Sequence, residues 1–176
     1  MSEHPVYDAK YGQPIYKDGC GIFGIVRKKD APKVSNLKTL DGISCISYRG
    51  SDLGAGFALF DPSISAGPNV HRLKAFVRNK EVADDLTDRL TATLSSPRNV
   101  QVMEPGKAEG KARFEVWEGT VDSSDTRTLE KTIDGINGVL LSSGKIDGRI
   151  FSYGSYLDVF KDVGYPMDVA REYGLD

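Results

Sequence analysis

Cys20-Gly21-Ile22-Phe23-Gly24-Ile25-Val26-Arg27 is the stretch on which the fold reading turns. It is rich in Ile, Val and Phe and is bounded by Gly19 on one side and by Lys28-Lys29-Asp30 on the other. Branched and aromatic residues between turn-forming residues predict a strand. Cys20 opens that strand between two glycines, which leave its sulfur and amide sterically open. Composition alone reads such a cysteine as a small buried hydrophobe, with a nucleophile as the alternative.

Upstream, residues 1–19 are polar and punctuated by Pro5, Gly12, Pro14 and Gly19, so they read as an extended leader. They contain no apolar stretch of the kind a secretory signal needs. Downstream, Leu37, Leu40, Ile43 and Ile46 recur every three residues and predict a helix with Ser35 as N-cap, weakened by Gly42. Cys45 lies beside that stripe and reads as core. Arg49-Gly50-Ser51-Asp52 follows as a polar turn. On their own, Arg49 and Gly50 read as a favourable cation and a turn glycine at a helix C-terminus. Ala55–Phe60 predicts a second, buried strand, ended by Asp61-Pro62.

Farther along, Val82, Leu86, Leu90 and Leu94 mark an amphipathic helix whose charged face, Glu81, Asp84, Asp85, Asp88 and Arg89, reads as solvated. Val100–Met103 and Arg113–Trp117 predict strands around a turn-rich Glu104–Gly110. Leu129, Ile133, Ile136 and Leu140 mark another helix, and Arg149–Phe160 reads as mostly extended. Pro166–Tyr173 is a short closing helix with Gly174 just beyond it. Strands and helices mix without a strict βαβ rhythm, so the pattern predicts an α+β fold.

The chain has 176 residues and a formal net charge of −2. That length suits one ordinary domain, and the charge offers nothing to draw nucleic acid or an anionic membrane. The apolar runs are far too short to span a bilayer, and with no signal sequence the expected location is cytoplasmic. Two cysteines and two histidines at unrelated spacings, Cys20, Cys45, His4 and His71, make neither a disulfide framework nor a zinc pattern. No metal or cofactor is expected. His71, beside Arg72, reads as a surface residue.

Two of these stretches together carry a resemblance. Cys20-Gly21-Ile22-Phe23-Gly24-Ile25-Val26 resembles the opening strand of class II (N-terminal-nucleophile) glutamine amidotransferases. Tyr48-Arg49-Gly50-Ser51-Asp52-Leu53-Gly54-Ala55-Gly56-Phe57-Ala58 resembles their second block. The likeness is densest over residues 20–60. Ser152–Asp176, including Val159-Phe160-Lys161-Asp162-Val163-Gly164-Tyr165-Pro166, is similar to the amidotransferase subunit of archaeal-type glutamate synthases.

The resemblance implies the αββα sandwich of the Ntn hydrolases, incomplete here, with residues 1–19 as a leader and 20–176 as the N-terminal part of the amidotransferase domain. It implies Cys20 as the catalytic nucleophile, Arg49 and Gly50 at the substrate, and glutamine as ammonia donor. The family's arginine block, oxyanion Asn-Gly pair and acidic residue for the α-amino group have no clear counterpart. Thr126-Arg127 lacks the context, and Asn137-Gly138 falls in or near the end of a predicted helix. The expected partner is therefore a synthase subunit, the downstream remainder of the domain, or both. The alternatives are a non-catalytic assembly subunit and an amidophosphoribosyltransferase-type domain.

Overall fold

A computed structural model describes residues 21–28, 30–32, 34–46, 54–103, 114–141 and 146–175. The elements are α1 (Asn36–Ile46), β1 (Ala55–Phe60), a 3-10 turn (Pro62–Ile64), β2 (Val70–Val77), α2 (Lys80–Thr93), β3 (Arg98–Met103), β4 (Glu115–Asp122), α3 (Thr126–Leu141), β5 (Gly148–Gly154), β6 (Leu157–Asp162) and α4 (Pro166–Glu172). The fold class is α+β, as expected. Where length alone suits one domain, the chain divides into two compact units: residues 1–56 with 160–176, and 57–159.

The continuous unit is built on one sheet in the order β3-β4-β2-β5, and each neighbouring pair is antiparallel. With α2 and α3 as crossovers, the chain order is β2-α2-β3-β4-α3-β5. This is the split βαβ, ferredoxin-like arrangement, a rhythm the sequence pattern did not disclose.

Its core follows from two periodicities. Leu73, Ala75 and Val77 alternate along β2 and join Trp117 and Val121 of β4. Against them pack Ala83, Leu86 and Leu90 of α2 and Leu129, Ile133, Ile136 and Leu140 of α3. The α3 stripe is the one the spacing predicts; in α2, Leu86 and Leu90 are buried as predicted, joined by Ala83, while Val82 and Leu94 are only partly buried. Asn79 starts α2 by accepting from the Val82 amide at 3.0 Å. Asp125 starts α3, accepting from the Arg127 amide at 3.0 Å and the Thr128 hydroxyl at 2.6 Å; such caps satisfy donors that no helical carbonyl reaches. The Trp117 ring lies over Gly119, where a Cβ would sit 2.7 Å from Cη2. Its indole nitrogen donates to Thr87 Oγ1 at 3.2 Å.

β2 is the strand the sequence reading lacked. Arg72 and Lys74 make its outer face look polar, yet Lys74 there is buried, and His71, in phase with Leu73 and Ala75, adds a polar residue at the end of the core face. His71 is half-buried rather than on the surface, with Nε2 3.0 Å from the Ser123 carbonyl oxygen and Nδ1 3.4 Å from Ser155 Oγ.

The discontinuous unit contains α1 packed against α4. Ser35 Oγ accepts from the Leu37 amide at 3.2 Å and starts α1 as expected. Leu40, Val169 and Ala170 are fully buried. α4 ends as Pro166 and Gly174 suggest, with Gly174 at φ +62 just past it. β1 and β6 form a ribbon, and the division between the units passes through it.

Three expectations are corrected here. Residues 21–28 carry no strand, and Ile22 and Val26 are 91% and 97% exposed; branched residues favour extension only where a neighbouring strand takes their hydrogen bonds. β1 is a strand but not a buried one, since Phe60 is 75% exposed and the ribbon has no third strand among the described residues. Cys45 is exposed on α1, off the face that buries Leu40.

Candidate functional site

Cys20, Arg49 and Gly50 lie outside the described residues. What the structure does place are the segments beside them. A Cβ on Gly21 would stand 2.9 Å from Ile46 Cδ1 and 3.1 Å from the Ile46 carbonyl oxygen, so Gly21 rests directly on the last residue of α1. Gly42, which weakens the helix by propensity, has a packing reason: the Phe23 ring occupies the space its side chain would need, 2.4 Å from a Cβ there. Residues 21–23 are thus laid along α1.

Within the second motif, Gly54 and Gly56 face the backbone of β6. A Cβ on Gly54 would meet the Asp162 carbonyl oxygen at 2.8 Å, and one on Gly56 would meet that of Phe160 at 3.1 Å. Their numbers rise as those of their neighbours fall, so the ribbon is antiparallel. The small residues of that block serve close approach of two backbones. Of the two stretches of sequence that carry the resemblance, residues up to 56 and from 160 belong to the discontinuous unit, while residues 57–60 and 152–159 belong to the other.

Comparison with known protein families and with curated proteins returns no match to either.

The strongest displacement of an ionisable group in the described residues falls in the same unit. Burial pushes the Glu172 carboxyl up from 4.5 to about 7, helped by a hydrogen bond with Asp162 and by the charges of Asp162 and Asp168. Asp162 Oδ2 and Glu172 Oε2 are both buried with no other hydrogen-bond partner among the described residues. Two carboxyl groups share a hydrogen bond only while one keeps its proton. That bond joins the end of β6 to α4, beside the contact of the Phe160 and Tyr173 rings at 5.3 Å and the bond from Tyr173 Oη to the Lys161 carbonyl at 3.1 Å. No spacing rule connects residues 162 and 172, and sequence reading missed the pair.

A pH dependence follows. The folded pKa is raised, so the contribution of Glu172 to stability is full below 4.5 and is lost as pH rises through about 7. Thermal melting should fall across that interval. Glu172→Gln, which imitates the protonated acid, should flatten the decline; an unchanged slope in that variant would show that other groups cause it.

Asn137, weighed as an oxyanion donor, has a different task. It lies inside α3, not at its end, and its side-chain amide donates to the Ile150 carbonyl at 3.1 Å while accepting from the Ile150 amide at 2.7 Å. Both polar atoms are thus committed to β5, where the pairing with β2 shifts register between Lys74 and Ala75. Thr126 and Arg127 belong to the first turn of α3, with the Arg127 amide held by Asp125.

The outer face of the ferredoxin-like sheet carries a charge cluster. Lys74 Nζ lies 2.6 Å from Asp158 Oδ1 and 3.5 Å from Glu118 Oε2, and Arg72 Nη1 lies 2.7 Å from Asp158 Oδ2. Two cations face two carboxylates, and no net charge is left to attract an ion. Among the described residues no three His, Cys, Asp or Glu side chains converge on a possible metal position, and no helix is long and apolar enough to cross a membrane.

Proposed function

We propose that this chain is a class II glutamine amidotransferase module that releases ammonia from glutamine for a glutamate synthase. One observation supports the reading above others: the larger parts of the two separated stretches that resemble the family, up to residue 56 and from residue 160, fall in one unit, with the segment after Cys20 lying against the end of the helix that leads to Arg49 and Gly50. In this reading that unit belongs to an Ntn-hydrolase sandwich, and residues 57–159 are an insertion in it.

Hydrolysis of an unactivated carboxamide needs a strong nucleophile, and cysteine is the best one near neutral pH. With residues 1–19 removed, the α-amine of Cys20 takes the thiol proton; its ordinary pKa of roughly 7.7–8.0 suits a base at that pH. The sulfur attacks the side-chain carbonyl carbon of glutamine, the C–N bond breaks, and protonated nitrogen leaves as ammonia. Water then cleaves the glutamyl thioester to glutamate and regenerates the thiol. Arg49 and Gly50 line the nucleophile. The arginine that grips the α-carboxylate and the oxyanion pair come from further residues, in a continuation of the domain or a partner polypeptide.

The test is glutamate release from glutamine by the chain assembled with its synthase partner, with intact-mass analysis of the active species. Active protein should begin at Cys20. An amide nitrogen between Gly19 and Cys20 cannot serve as base because its lone pair is delocalised. Full turnover with Met1 or Ser2 still attached would overturn the mechanism.

A further inference from the structure

His71 is held at both ring nitrogens, and its partners fix which nitrogen carries the proton. Nε2 lies 3.0 Å from the Ser123 carbonyl oxygen, and Nδ1 lies 3.4 Å from Ser155 Oγ. A carbonyl oxygen can only accept, so Nε2 is the protonated nitrogen. In the neutral ring Nδ1 is then an acceptor, and the Ser155 hydroxyl donates to it. Among the described residues that hydroxyl has no other partner. A hydroxyl, a base beside it and a group that orients the base are the parts of an activated nucleophile.

The three residues meet at one end of the ferredoxin-like sheet, where the start of β2 lies between the ends of β4 and β5. Backbone bonds hold each part. The Ser123 amide donates to the Asn69 carbonyl at 2.8 Å. Ser155 sits in the two-residue connection between β5 and β6. A Cβ on Gly154 would stand 3.1 Å from the Leu157 Cβ, so the chain doubles back there and carries Ser155 on the bend. Beyond it, the Tyr156 carbonyl accepts from the Asp61 amide at 3.0 Å. His71 and Ser155 are both partly exposed, so solvent reaches the pair. Their 3.4 Å separation exceeds the roughly 2.6–3.2 Å of an aligned pair, a looseness common before substrate binds.

We propose that Ser155 and His71 form an esterase dyad that accepts the acyl group of a small ester with a good leaving group. Ser155 Oγ bonds to the carbonyl carbon and its proton passes to His71 Nδ1. The bond to the leaving oxygen breaks, and that oxygen departs with the proton. Water then gives a proton to Nδ1 and adds to the acyl carbon; the acid leaves and Ser155 recovers its proton. The Ser123 carbonyl orients the ring but has no full charge to stabilise an imidazolium, which favours activated esters over amides. The amidotransferase reading rests on Cys20, and neither reading depends on the other.

A fluorophosphonate probe tests the dyad on the full chain with Cys20→Ala and Cys45→Ala, so that no thiol enters the result. Ser155 Oγ bonds to phosphorus, fluoride leaves and the proton goes to His71, adding one phosphonyl group per chain. Peptide mass mapping should place it on Ser155. The same chain should turn over p-nitrophenyl acetate, and prior labelling or Ser155→Ala should remove that turnover. His71→Ala should slow labelling about a hundredfold or more, and added imidazole should restore part of the rate. Thermal melting checks that the variants keep the fold. Absence of label at Ser155, or equally fast labelling without His71, would overturn the proposal. A loss in His71→Ala that imidazole does not relieve would overturn the role of His71 as base.

Discussion

Cys20→Ala should abolish glutamate release in any assembly that shows it, and Cys45→Ala should leave it unchanged. Removal of a covalent nucleophile has cost on the order of 10⁶-fold in a hydrolase where the groups act as a unit, and nothing in the proposed reaction replaces the thiol once it is gone. Cys45 is a stringent control because it is exposed on α1. Access alone would let both thiols react with an electrophile. A glutamine-like diazoketone should nonetheless modify the peptide that begins at Cys20, because in the proposed mechanism only that thiol has an adjacent amine to take its proton. Modification confined to Cys45, or turnover that survives Cys20→Ala, would sink the assignment.

The largest expected effect on stability comes from Lys74→Ala. The Lys74 side chain is only 3% exposed, and its ammonium is shared by Asp158 and Glu118. Deleting it leaves buried negative charge with Arg72 as the remaining cation of the cluster. Breaking a buried pair in this way costs about 3–5 kcal/mol, whereas replacing both partners with neutral groups of similar size is often close to neutral. Lys74→Met combined with Asp158→Asn should therefore recover most of the loss. Denaturant unfolding measures both variants. A single-variant cost below about 1 kcal/mol would mean that water already reaches the cluster.

That cluster also shows where sequence reading stops. In Val70–Val77 the apolar residues that reach the core, Leu73, Ala75 and Val77, do alternate, but Arg72 and Lys74 between them look like a solvated face. The carboxylates that cover them lie 46 and 84 residues from Arg72 and Lys74, at Glu118 and Asp158. A window of a dozen residues contains no trace of such partners. The helices were legible because their information is local: the stripe of Leu129, Ile133, Ile136 and Leu140 is the buried face of α3. Without β2, the double βαβ rhythm could not be seen. Of the site, the sequence pattern offered Cys20, Arg49 and Gly50 through resemblance, which the described residues frame but do not include. Asp162 and Glu172 were invisible for the same reason as the ion cluster: their meeting depends on α4 folding back along β6.

The division of the chain bears on how it folds. β1 and β6 must meet across about a hundred intervening residues. In an unfolded chain, closing a loop of that length costs roughly 4 kcal/mol in entropy, before any constant term. Once residues 57–159 have formed their own sheet, the two strands are tethered at its ends and most of that entropy has already been lost. The inserted body thus acts on the surrounding unit as a cross-link acts, by narrowing what the unfolded chain can explore. Lys74→Ala, remote in sequence from α1 and α4, should loosen them too, through the tether.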